Sequence, residues 1–164
     1  MKKVIRQDVF ETNSSSSHTV SIRGNSKSND YYCISDVIEI TLGEYGWSGY
    51  PCYDFMSKLA YALSMVLHTE YPNFEYWDEH FVVDQEVLEQ LEGYKTLLNA
   101  IRIHGRCENI HIKRTQGWYP YGYIDHQSYE DYNSLQDFLD DWHIDAEKFL
   151  FNDNVVVYIL NDNG

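Results

Sequence analysis

The sequence predicts an α+β fold, an antiparallel sheet of about four to six strands with two or three helices packed on one face. Three observations carry that expectation. Apolar side chains recur at helical spacing in Phe55, Leu59, Ala60, Leu63, Val66 and Leu67, and again in Val87, Leu91, Leu98 and Ile101. They alternate with period two in Val20 and Ile22 and in Ile38, Ile40 and Leu42. With 164 residues, 43% of them hydrophobic and 23% charged, the chain has the material for one domain, residues 1–164, burying roughly 70% of its unfolded surface.

Residues 1–10 mix β-branched and charged positions and predict a first strand, ended by the polar run Glu11 to Ser17, which reads as a loop. Strands are expected at His18 to Arg23, Tyr31 to Ser35 and Val37 to Leu42. Gly43 to Tyr53 holds three glycines and a proline among Tyr45, Trp47, Tyr50 and Tyr53, so an ordered, irregular connection is expected there. Asp54 caps a helix running to about His68, and Pro72 closes it. A second helix from about Asp84 to His104 has Gly93 as a soft point and Gly105 as its stop. A strand at Asn109 to Lys113, an aromatic turn at Gly117 to Tyr123, a helix capped by Ser134 and a last strand at Val155 to Leu160 complete the chain.

Acidic residues number 26 against 12 Lys and Arg, a formal net charge of -14. A field of that sign repels polyanions, which argues against direct nucleic-acid binding and for a basic partner. The three cysteines lack a CxxC spacing, and no signal peptide or apolar run of membrane-spanning length occurs. A reduced cytoplasmic setting, with no membrane partner, is the expectation. The absence of GxSxG, GxxxxGK[ST], HExxH and a strand-borne GxGxxG disfavours the standard hydrolase and nucleotide folds, so neither cofactor nor metal is expected.

The charge is uneven. From Tyr119 onward ten acids face one base, Lys148, and Glu70 to Glu92 holds eight acids and no Lys or Arg. If the helix near residue 140 runs far enough, Asp137, Asp141 and Asp145 line up at i, i+4 and i+8 with Asp140 beside them, about 6 Å apart. Like charges at that spacing cost a helix roughly 0.2 to 0.5 kcal/mol per pair. Interleaved with Tyr129, Tyr132 and Trp142, and joined by Glu86 and Glu89 of the second patch, such a row imitates a phosphate backbone and its bases toward a groove lined by Lys and Arg. The bland alternative is a solvated face.

A second lead is Glu11-Thr12-Asn13-Ser14-Ser15-Ser16-Ser17-His18, with hydroxyls, an imidazole and backbone N–H groups suited to an anion, and Arg6 and Arg23 to supply positive charge. Asp125-His126-Gln127-Ser128 would have, with His18, the parts of a general acid/base or metal site if the fold brings the two segments together. Arg6, Glu11, Ser14, Ser15, Ser16, Ser17 and His18 would then hold a nucleotide or other phosphorylated compound. A serine run is more often a polar loop, and an Asp-His pair more often a structural hydrogen bond.

The stretch Arg6 to His18, with Gly43-Glu44-Tyr45-Gly46-Trp47, Gly122 to Ser128 and Phe149-Leu150-Phe151-Asn152, resembles a set of small proteins of Firmicutes phages and prophages. The resemblance implies a setting, a mobile element in the cytoplasm of a bacterial host, where small acidic proteins often inhibit nucleases and defence complexes, as anti-CRISPR proteins do. The function expected is inhibition of a host protein with a basic nucleic-acid-binding groove, and the alternative is a small enzyme or ligand-binding protein.

Overall fold

A computed structural model describes residues 16–22, 35–46 and 50–161. In chain order these form β1 (Ser16–Ile22), β2 (Val37–Thr41), β3 (Glu44–Tyr45), β4 (Tyr50–Cys52), α1 (Phe55–Glu70), α2 (Gln85–Leu88) and α3 (Glu92–Ile103). There follow β5 (Asn109–Lys113), β6 (Tyr123–Ile124), α4 (His126–Tyr129), α5 (Leu135–Asp141), α6 (Ala146–Phe151) and β7 (Val155–Asn161). The strands expected at residues 1–10 and over most of Tyr31 to Ser35 lie outside the described residues.

The axis of the fold is α1. Asp54 caps it as the sequence predicts, its carboxylate accepting the Ser57 N–H at 2.9 Å. The periodicity predicts one apolar stripe, yet every residue from Lys58 to Leu67 is buried. Lys58 and Ser64 are the polar members of that run, and a helix apolar on nearly all sides belongs in the interior. Ser64 returns its hydroxyl to the Ala60 carbonyl at 3.0 Å. Lys58 bends its ammonium onto the Asn152 carbonyl at 3.0 Å, and burial holds its pKa down at about 8 although Asp153 and Asp54 stand near.

Around α1 pack α3, α5 and α6 together with β2, β4 and β6. Helices therefore surround a helix, where the sequence predicts two or three helices on one face of a sheet. The strands also divide differently. One antiparallel sheet has the order β1-β7-β4, with Val20 and Cys52 both opposite Val157. Two parallel pairs accompany it: β2 with β5, setting Ile38 against Ile110 and Ile40 against Ile112, and β3 with β6. A parallel pair requires a long crossover, and residues between β2 and β5 supply one in α1, α2 and α3. Ile38, Ile40 and Leu42 do share a buried face, as their alternation predicts.

Four local expectations are corrected. Ser16 and Ser17, expected in a loop, belong to β1 and pair with Asn161 and Leu160. Gly43 to Tyr53 contains the short strands β3 and β4. The helix expected from Asp84 to His104 is two, because Leu91 is extended at φ -70 and ψ 138 and α3 starts afresh at Glu92. The helix capped by Ser134 ends at Asp141, after which His143 takes a positive φ of 53 and α6 begins. Gly122, at φ 74, lets β6 approach β3: a Cβ there would stand 2.7 Å from the Gly43 carbonyl oxygen.

Candidate functional site

Two distant stretches of sequence are joined at the end of α1 through one acidic residue, Glu70. Glu70 accepts the Gly93 N–H of α3 at 2.8 Å with one carboxylate oxygen and the Leu135 N–H of α5 at 2.9 Å with the other. The N-termini of α3 and α5 are thus fixed beside one another. Glu92 on the first, and Asp137, Asp140 and Asp141 on the second, are exposed, as are Glu86 and Glu89 in and after α2.

The straight row of carboxylates is not what the structure contains. Asp145 lies beyond the end of α5 and caps α6, accepting the Lys148 N–H at 2.7 Å. Asp137 belongs to the first turn of α5, where negative charge is favoured, and accepts the Asn133 N–H at 3.0 Å. Asp141 accepts the Tyr132 hydroxyl at 3.0 Å, and Asp140 the Gln136 amide at 2.7 Å. The helix rule therefore has compensation that spacing alone does not reveal. Glu89 takes the Asn109 amide at 2.8 Å and the Gln85 amide at 3.1 Å, and Glu92 pairs with Lys95 at 2.7 Å. Glu86 stays exposed.

The aromatic partners separate into two kinds. Tyr132 stands edge-on to Phe138, and Trp142 packs against the core, its indole N–H without a partner among the described residues. Both serve packing first. Tyr129 instead joins a cluster that the sequence reading missed, centred on His68. Phe74, Tyr76, Tyr123 and Tyr129 stand 4.9 to 6.3 Å from the His68 ring. His68 Nδ1 donates to the Ser64 carbonyl at 2.8 Å, leaving Nε2 toward the Ile124 N–H at 3.5 Å. Enclosure by these rings pushes the His68 pKa down to about 4. The available signal was His68 itself, eight residues before the Tyr76-Trp77 pair and on the same helix whose apolar run it ends.

Asp125 lies buried beside this cluster, its backbone N–H donating to the Tyr45 carbonyl at 2.8 Å. Burial, with the Asp125 carboxylate among the further causes, raises the hydroxyl pKa values of Tyr76, Tyr123 and Tyr129. These phenols stay protonated and His68 stays neutral near pH 7. The cluster offers aromatic faces and hydroxyl donors.

The second lead is partly placed. Short α4 packs against β1, so the Asp125 to Ser128 segment adjoins the strand that begins at Ser16. Arg6, Glu11, Ser14 and Ser15 lie outside the described residues, as do the side chains of Ser16, Ser17, His18 and His126. A separate groove of about 350 Å³ lies between β2 and the start of α1, lined by Leu42, Tyr45, Met56 and Ser57. It carries Glu39, already paired with Lys113, and Glu44, and among the described residues no histidine or cysteine lines it. Among the described residues no three His, Cys, Asp or Glu side chains are grouped to hold a metal, and no helix is long and apolar enough to cross a membrane.

Comparison with protein-family models, with curated proteins and with solved structures finds no match to this chain.

The enclosed His68 fixes a pH response. Its folded pKa lies below the ordinary 6.5, so its contribution to stability is full above pH 6.5 and is lost as the pH falls toward 4, up to about 3 kcal/mol. Urea unfolding at pH 7, 5.5 and 4.5 should show the parent losing that much relative to a His68→Phe variant. Parallel losses in the two proteins would contradict the neutral, enclosed imidazole.

Proposed function

We propose that the protein binds and inhibits a host nucleic-acid-handling or defence protein, in the manner of anti-CRISPR proteins, by presenting its acidic and aromatic face to a basic groove. The observation that carries this reading is the Glu70 bridge, which sets the acidic stretch around residues 70–92 beside that of α5. Neither stretch contains enough basic residues to neutralise it: Lys95 answers Glu92, and Lys148 is the single base after Tyr119. Carboxylates so gathered act on a polycation over about a Debye length, which steers association and makes it salt-dependent. The mobile-element setting implied by the sequence resemblance fits a partner of that kind.

The test uses acids that cap no helix. Binding of the partner recovered from a bacterial host lysate should weaken at least about tenfold between low and moderate ionic strength. Combined Glu86→Lys, Asp140→Lys and Asp141→Lys changes should abolish it while leaving the unfolding midpoint near that of the parent. Salt-insensitive capture, or undiminished binding by the triple variant, would exclude the acidic face as the contact.

One observation favours a second reading, namely the packing of α4 against β1. It supports a site for a nucleotide or another phosphorylated compound made from the serine strand, His18, Asp125 and His126. Thermal unfolding of the parent and of His18→Ala with added nucleoside phosphates discriminates: this reading expects a shift in the parent that the variant lacks. No shift in either rejects it.

A further inference from the structure

Two of the most exposed large apolar side chains are tryptophans, Trp77 at 61% and Trp118 at 89% of full exposure. Trp77 touches one end of a set of tyrosines in mutual contact, and Trp118 precedes another member, Tyr119, in the chain. Tyr76 lies 4.5 Å from Trp77 edge-on, 5.8 Å from Tyr119 and 5.1 Å from Tyr123, and Tyr119 stacks on Tyr123 at 4.8 Å and 22°. Behind them His68 and Tyr123 anchor the cluster to α1 and β6, so the outer rings rest on a fixed base. Large exposed aromatics on rigid supports cost little conformational entropy when a partner covers them.

The charge around these rings selects the partner. In the chain Glu75 and Glu79 stand two residues before and after Trp77 and are exposed, Asp78 follows it, and buried Asp125 stands two residues after Tyr123. Arg114 reaches this segment, its guanidinium donating to the Glu79 backbone carbonyl, and the Glu79 carboxylate, 3.6 Å from His80 Nε2, stays exposed. A flat, weakly hydrated cation gains both from stacking on indole and phenol rings and from carboxylates at their rim. Guanidinium has these properties and ammonium has fewer of them.

We propose that Trp77, Trp118, Tyr76 and Tyr119 form the anchoring patch for arginine side chains of a basic partner protein, with Glu75 and Glu79 as flanking carboxylates. The proposal deepens the acidic-face reading and rests on it for the identity of the partner, but it makes a claim of its own: aromatic stacking adds arginine selectivity to charge attraction.

Fluorescence anisotropy with labelled hexa-arginine and hexa-lysine peptides at equal ionic strength tests it on the full chain. The expected result is tighter binding of hexa-arginine, reduced about fivefold in Trp77→Ala/Trp118→Ala, the size of one or two exposed cation–π contacts, with a smaller loss for hexa-lysine. Both tryptophans are exposed, so the double variant should keep the parent unfolding midpoint. Equal affinity for the two peptides, a double variant indistinguishable from the parent, or no binding of hexa-arginine by the parent would each overturn the proposal. The triple lysine variant separates the two claims. If it captures the lysate partner as the parent does while the tryptophan variant loses hexa-arginine, the acidic face fails and the arginine patch stands.

Discussion

The carboxylate of Glu70 holds the architecture together at its most charged point. The first amides of any helix lack intrahelical acceptors, and at α3 the capping position is Leu91, whose side chain offers no oxygen. Glu70, the last residue of α1, supplies one to Gly93 and another to Leu135, placing a single anion at the positive ends of two helices. Close approach is the condition. A Cβ on Gly93 would stand 2.4 Å from Glu70 Oε1 and 2.6 Å from Val66 Cγ2, so the glycine serves packing at a helix start and not flexibility inside a longer helix.

That junction explains the broken helix and sets the starts of two acid-bearing helices together. For α3 to present Gly93 to Glu70, the chain from Asp84 must stop and turn before Glu92, which leaves α2 as one short turn. Many of the surplus acids prove to be local devices. Asp54, Asp84 and Asp145 are N-caps, and Glu89 satisfies two side-chain amides. Glu86, Asp140 and Asp141 are exposed and cap no helix, so their charge is not spent on a helix start. The aromatic cluster over His68 connects this region to the core, because Tyr129 approaches from beyond β6 and Tyr76 from the loop after α1.

Much of this was legible in the sequence wherever a signal is local. Asp54 and Ser134 read as caps because a short acceptor precedes an apolar helical run, and Ile38, Ile40 and Leu42 read as one strand face because their alternation has no competing period. The interior position of α1 was visible in principle: Lys58 to Leu67 contains only two polar residues, but a stripe of matching spacing drew attention to one side of the helix. Strand partnership was not legible, since β2 and β5 join across α1, α2 and α3 and nothing in either strand names the other. The carboxylate row failed for a reason also written locally. Asp145 followed by Ala146 and Glu147 is a helix start, and a start at that point cannot continue the helix before it.

The most direct measurement is amide hydrogen exchange at Gly93 and Leu135 in the parent and in Glu70→Ala. Both amides sit in first turns where no backbone carbonyl of their own helix can protect them. Slow exchange at both in the parent, lost at both together in the variant, is the predicted result. Fast exchange in the parent, or amides that respond separately or not at all to the substitution, would mean that the two helix starts are not joined through Glu70 and that the acidic stretches need not share a face.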